Sequence, residues 1–208
     1  ILERASRLEL IPTGQTANLW LTTMFAFGTC YWWLAVMGRM WFISQQITLL
    51  FAALALYAAL RKLPPWLVGF GLGLAVLSRP NVFTLWPFLL GLTLFFEQRE
   101  SGAVDWKRAI LWAVQSGAPV VLAAGGLLYY NYIRFGYWLY FGYVGITSAD
   151  WLTEAVRNYG MFNIHFLGAN LHAMFLKLPV ISCQNGCLTI SPTREGISMF
   201  AMTPALLY

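Results

Sequence analysis

Charge is what this sequence has least of. Only 10% of its 208 residues are Asp, Glu, Lys or Arg, and 59% are apolar, against roughly 25% charged in ordinary soluble domains. An ordinary soluble enzyme is excluded on that ground alone. Histidine occurs twice, at His165 and His172. On a helix these two share a face, but about 10.5 Å of rise separates them, too far for one metal ion. The three cysteines, Cys30, Cys183 and Cys187, lack zinc-site spacing. No Gly-x-x-x-x-Gly-Lys, His-Glu-x-x-His or Gly-x-Ser-x-Gly occurs, which removes the common phosphate, zinc-protease and serine-hydrolase motifs. Gly71-x-Gly73 is followed by Val76 where a dinucleotide fingerprint needs a third glycine. The net charge of +5 forms no basic stripe, so no nucleic-acid partner is expected.

What is abundant is long apolar sequence. Ten Trp, ten Tyr and fifteen Phe suit membrane interfaces and lipid-facing surfaces. Arg4, Arg7, Arg61, Lys62, Arg99, Lys107 and Arg108 flank apolar runs, where topology determinants sit. The expected fold class is all-α: a polytopic membrane protein with an outer-face loop region containing short interfacial helices. Spans are expected at about 17–36, 42–60, 66–78, 82–96 and 109–130, the loop region at 131–196, and the start of a further span at 197–208. The chain begins without Met and ends inside an apolar run; it reads as an internal piece of a larger multi-pass protein of the cell membrane.

The stretch from Pro65 to Glu97 organises this reading. It is apolar except for Ser78-Arg79-Pro80-Asn81 near its middle. A central arginine costs about 2.5–3.5 kcal/mol on insertion scales and is a functional candidate by default. Pro80 biases Arg79 away from helical backbone. One kinked span of about 46 Å would be needed to cover the stretch with a single helix. Arg61-Lys62 on one side and Arg99, Lys107 and Arg108 on the other require an even number of crossings. The expectation is therefore a hairpin whose arms are about 20 and 23 Å long, with Arg79 at its outer tip.

Elsewhere the signals are local. Ser44-Gln45-Gln46 should face protein rather than lipid. Gly69-x-x-x-Gly73 has the small-residue spacing of packed membrane helices. Asp105 is placed to cap the fifth span, which Gly117-Ala118-Pro119 and Gly125-Gly126 interrupt. Tyr132, Phe135, Tyr137, Trp138, Tyr140, Phe141 and Tyr143 suit headgroup depth. Thr147-Ser148-Ala149-Asp150 resembles a capping box, and Glu154 can pair with Arg157 or Asn158. Asn163 can cap a helix running to Leu178, with Ile164, Leu167, Leu171, Met174, Phe175 and Leu178 on one broad face that rests on the membrane. A two-residue Asn185-Gly186 turn pairs Gln184 with Cys187 and separates the sulfurs; a three-residue loop sets Cys183 opposite Cys187 and allows a disulfide. Both remain open at this level.

Asp150, Glu154 and Glu195, the carboxylates of the 131–196 region, serve capping and solubility better than catalysis. Arg79 differs, because a buried guanidinium needs an anion and phosphate suits its fork. Arg39 and Arg134 are placed to complete the same substrate-binding site. The alternative for all three is a structural ion pair or snorkelling.

Gly28-Thr29-x-Tyr31-Trp32, Gly38-x-Met40-Trp41-Phe42 and the run from Gly71 to Pro80 together resemble polytopic glycosyltransferases of the GT-C fold. More narrowly, they are similar to bacterial relatives of the dolichyl-phosphate-mannose protein mannosyltransferases, glycosyltransferase family 39. Asn131-Tyr132-x-Arg134-Phe135-Gly136, Gly160-x-Phe162, Asn170-Leu171, Pro192, Gly196 and Thr203-Pro204-Ala205-Leu206-Leu207 extend the likeness. The resemblance implies transfer of a sugar from a polyprenyl-phosphate donor at the extracytoplasmic face, with membrane lipid as surroundings and Arg79 on the lipid-phosphate side. The family's catalytic carboxylate lies in a first outer loop. No Asp or Glu occurs between Leu10 and Phe96, so that residue is expected upstream of Ile1 and these 208 residues alone are expected to be inactive. A divalent metal in the full-length protein is left open. The rival reading is a transporter or lipid flippase using Arg79 as an anion relay.

Overall fold

A computed structural model describes residues 1–139, 154–155, 158–160, 163–184, 187–191, 193 and 196–204. Tyr140, Phe141 and Tyr143, the Thr147–Asp150 capping box, the Arg157 pairing, Phe162, the Asn185-Gly186 turn, Pro192, Glu195 and the run from Ala205 lie outside the described residues. The fold is mostly helical. It divides into two compact units, Ile1–Thr23 with Trp33–Phe141, and Met24–Trp32 with Gly142–Tyr208.

In the first unit α1 (Leu2–Arg7) leads to α2 (Gln15–Phe27) and α3 (Cys30–Met37), the latter two shared along the chain with the second unit. The first span expected at 17–36 is thus two helices, bent by 47°. Thr29 is the cause. Its hydroxyl donates to the Phe25 carbonyl at 2.7 Å and accepts the Tyr31 amide at 3.2 Å, so it closes one helix and caps the next.

α4 (Met40–Leu60), α5 (Pro65–Ser78), a 3-10 turn (Pro80–Thr84), α6 (Leu85–Ser101) and α7 (Trp106–Phe135) complete the unit. Lys62, before α5, forms an ion pair with Glu100 at the end of α6. The two helices therefore run antiparallel, as the hairpin requires. Pro65 opens α5 at a first-turn position where its missing N–H is harmless. Asp105 caps α7, accepting the Lys107 and Arg108 amides at 3.0 and 3.4 Å. The helix then continues through Gly117, Pro119, Gly125 and Gly126 without a break, which corrects the interrupted span expected there. Packing against α5 holds the residues around the proline in place. Gly136, at φ +77°, ends it.

α5 is the centre of the unit. A Cβ on Gly69 would strike the Ser116 carbonyl oxygen of α7 and lie 2.7 Å from its carbon. On Gly73 it would lie 3.0 Å from the Pro119 oxygen, and on Gly71 3.3 Å from the Ala55 nitrogen of α4. At Gly69 only glycine admits two backbones at that separation, and at Gly71 and Gly73 a larger residue would be tight. The core is correspondingly small-grained: Ala55, Ala58, Ala59, Val68, Leu72, Ala75 and Leu89 are buried together. Large apolar side chains face outward instead, among them Trp20, Trp106 and Leu122. Two helices, α4 and α7, are long and apolar enough to cross a membrane, and the bent α2–α3 pair makes up to three. These helices with an apolar exterior mark a membrane-associated protein. At 14 and 17 residues, α5 and α6 reach only about 21 and 26 Å.

The second unit corrects the all-α expectation. It contains a two-stranded antiparallel hairpin, β1 (Val180–Gln184) and β2 (Cys187–Ser191). Gln184 pairs with Cys187 and Cys183 with Leu188. This is the two-residue-turn register, and Cys183 is an exposed free thiol. The helix expected from Asn163 to Leu178 is a 3-10 turn (Ile164–Phe166) followed by α8 (Leu167–Phe175). Asn163 accepts the His165 amide at 2.9 Å. Ile164, Leu167, Leu171 and Met174 are exposed. The Lys177 carbonyl accepts the Ser198 amide at 2.7 Å, and α9 (Met199–Met202) follows.

Replacing Gly69 by Ala should lower the unfolding midpoint of purified protein by the equivalent of about 1–3 kcal/mol, the usual cost of overpacking. Gly91→Ala, in α6 with nothing within 4 Å of its new methyl, should raise it by up to about 1 kcal/mol through helix propensity. Thermal unfolding in detergent measures both.

Candidate functional site

Arg79 sits where α5 ends. Its backbone is extended, φ −144° and ψ 106°, the conformation that a following proline favours. Its amide still closes the last helical turn on the Ala75 carbonyl at 2.9 Å. The guanidinium is half-buried, and Nη2 donates to the Trp41 carbonyl at 3.3 Å. Its Nε is enclosed and has no hydrogen-bond partner among the described residues. Beside it Ser78 donates to the Ser44 carbonyl at 3.0 Å, and the two hydroxyls lie 3.3 Å apart. Ser44 of α4 thus meets α5.

Arg39 precedes α4 and is exposed. It stands two residues before Trp41, so Arg39 and Arg79 share one end of the unit. Arg134 stands apart. Gly73 abuts Pro119 and Ala123, and α7 then runs on past the level of Arg79 by about 8 Å. There Arg134 donates to the Tyr130 hydroxyl at 2.9 Å, with its guanidinium 5.1 Å from the Phe135 ring.

Carboxylates are distributed the other way. In the first unit the acids are Glu3, Glu9, Glu97, Glu100 and Asp105. Glu3, Glu9, Glu100 and Asp105 pair with Arg7, Arg99, Lys62 and Arg108 at the opposite end, and Glu97 lines a cavity of about 420 Å³ there with Lys62 and Arg108. No acid of this unit lies on the chain from residue 10 to 96 or from 106 to 139. Arg79 therefore has no ion-pair partner within its own unit. An enclosed donor without an acceptor costs about 1–3 kcal/mol, and an oxyanion supplied from outside would remove that cost.

No group of three or more His, Cys, Asp or Glu gathers among the described residues. They offer no ligand set for the divalent metal left open by the resemblance, and no chemistry is derived through one. His165 instead stacks on Tyr159, 3.9 Å between ring centres. The Trp41 carbonyl and the Ser44–Ser78 pair were not legible as site features. A backbone acceptor leaves no side-chain signature, and two serines become a pair only once the helices are registered.

No family model, no curated protein and no solved structure matches the chain.

Arg79→Met keeps the stem and removes the enclosed donor. Without ligand it should leave stability unchanged or raise it by about 1–3 kcal/mol. A structural ion pair would instead make the variant less stable. Unfolding of both proteins under identical detergent conditions checks the sign.

Proposed function

We propose that this chain is the lipid-phosphate-binding part of a GT-C-type membrane glycosyltransferase, one that transfers a sugar from a polyprenyl-phosphate donor at the extracytoplasmic face. One observation carries the reading: the enclosed Nε of Arg79, at the end of an apolar helix and away from the carboxylates of its unit, which pair at the opposite end. A phosphate ester is the anion a guanidinium fork accepts best, and a polyprenyl tail suits the apolar exterior. Gly71 to Pro80, one of the stretches that resemble the family, covers the end of α5 and Arg79 itself.

In the reaction an acceptor oxygen attacks the anomeric carbon with inversion. The carbon–oxygen bond to phosphate breaks, its electron pair stays on the phosphate oxygen, and the acceptor proton passes to a carboxylate base. That base is assigned to no residue of this chain. Arg79, with Arg39 at the same end, stabilises the charge that develops on the leaving phosphate. Arg134, engaged with Tyr130, belongs to the outer rim.

In the full-length protein, Arg79→Ala should reduce release of polyprenyl phosphate about 100-fold or more, the usual loss for one oxyanion donor. Arg79→Lys should recover only part, since it restores charge without the fork. If wild-type protein releases no polyprenyl phosphate but reconstituted vesicles move a solute, the transferase reading fails and transport replaces it.

A further inference from the structure

The opposite end of the first unit contains a second cluster of basic side chains around a cavity. A cavity of about 160 Å³ is lined by Ile1, Glu3, Arg4, Arg7, Tyr57 and Arg61. Two of its arginines are anchored in the same manner. Arg4 crosses from α1 and donates through Nε to the Leu60 carbonyl at 3.2 Å. Arg61 donates through Nε to the Tyr57 hydroxyl at 2.9 Å, and its guanidinium carbon lies 5.5 Å from the centre of the Tyr57 ring. Each bond fixes a guanidinium by its inner nitrogen, leaving the terminal Nη groups without protein partners among the described residues.

Charge and place identify the occupant. Arg7 is neutralised by Glu3, which leaves Arg4 and Arg61 as two uncompensated positive charges on a small cavity. Tyr57, Leu60 and Arg61 form the C-terminal end of α4, one of the two helices long and apolar enough to span a membrane. A cavity at the end of a spanning helix lies at headgroup depth, where basic pockets hold anionic lipid. The neighbouring 420 Å³ cavity is a weaker candidate, because Glu97 and Glu100 offset its Lys62 and Arg108.

We infer that Arg4 and Arg61, backed by Tyr57, bind the phosphate of an anionic phospholipid headgroup at the basic end of the bundle. The inference does not depend on the transferase reading, whose anion sits at the other end. The bound phosphate would join α1 to the end of α4 and steady the contact that otherwise rests on the Arg4–Leu60 bond.

The experiment is native mass spectrometry of the intact protein in detergent, titrated with phosphatidylglycerol and, separately, phosphatidylcholine. The Arg4→Gln/Arg61→Gln double variant should lose about tenfold in phosphatidylglycerol affinity, roughly 1.4 kcal/mol, and lose its preference over phosphatidylcholine. Lys107→Gln/Arg108→Gln removes the same charge at the same end but outside this cavity, and should stay within about twofold of wild type. Tyr57→Phe, which keeps both charges and removes the Arg61 anchor, should fall between them. Equal losses in both double variants would reduce the effect to general surface attraction and overturn the site. No loss in the Arg4/Arg61 variant would overturn it too. Displacement of the lipid by millimolar inorganic phosphate would overturn the lipid assignment. Unchanged far-ultraviolet circular dichroism of each variant excludes misfolding as the cause.

Discussion

Everything in the first unit depends on how closely α5 approaches its neighbours. Gly69 and Gly73 lie against the α7 backbone, and Gly71 faces Ala55 of α4. A helix held at that range on both sides has little freedom to slide or rotate, because a side chain at Gly69 would collide and one at Gly71 or Gly73 would be tight. In an apolar solvent there is no hydrophobic drive between helices, so such contact and a few polar pairs hold the bundle. Trp86 of α6 donates to Ser116 of α7 at 3.0 Å, beside the Gly69 contact, and Ser44 of α4 meets Ser78 of α5. The rigid placement of α5 is what makes the position of Arg79 meaningful. An arginine on a loosely packed helix would swing to the nearest water. Here its stem leaves a clamped helix, its backbone is turned outward by Pro80, and Trp41 of α4 holds one nitrogen.

Much of this architecture is written plainly in the residues. Arg61-Lys62 and Arg99 flank the apolar stretch, and charge bookkeeping requires an even number of crossings between them; the Lys62–Glu100 ion pair joins the start of α5 to the end of α6. Asp105 before a long apolar run announces its cap, and the glycine spacing of α5 announces close packing. The register of the Cys183–Cys187 hairpin was legible only as a pair of alternatives, since Asn-Gly fits a two-residue turn and Gly alone fits a three-residue one. The bend at Thr29 was missed for a different reason. Threonine within an apolar run reads as a tolerated polar residue, and its double use, as donor to one helix and acceptor from the next, is a matter of local geometry. The docking of α1 was illegible as well, because the Arg4–Leu60 bond joins residues 56 positions apart.

The hairpin in the second unit shows the same limit from the other side. Val180 to Ser191 contains alternating apolar positions around Asn-Gly, a strong short-range hairpin signal. The all-α class rests on whole-chain composition, which the local hairpin signal at Asn185-Gly186 does not alter. Two strands of five residues are too little to shift a whole-chain composition, yet enough to define a local structure.

The absence of carboxylates from residue 10 to 96 now has a physical consequence at both ends of the bundle. At one end, basic residues sit among nearly as many acids, and most of their charge is consumed in exposed pairs worth little individually. Arg4, Arg61 and Lys107 stand outside those pairs, and Arg4 and Arg61 share one cavity. At the other end, Arg39, Arg79 and Arg134 face no acid of their own unit, so no carboxylate of that unit opposes their field. Low dielectric around the helix ends strengthens that field and also raises the cost of leaving Arg79 unpaired. The two ends thus differ in kind. One balances most of its charge internally and retains a small surplus, while the other holds a partly enclosed cation that no acid of its unit pairs.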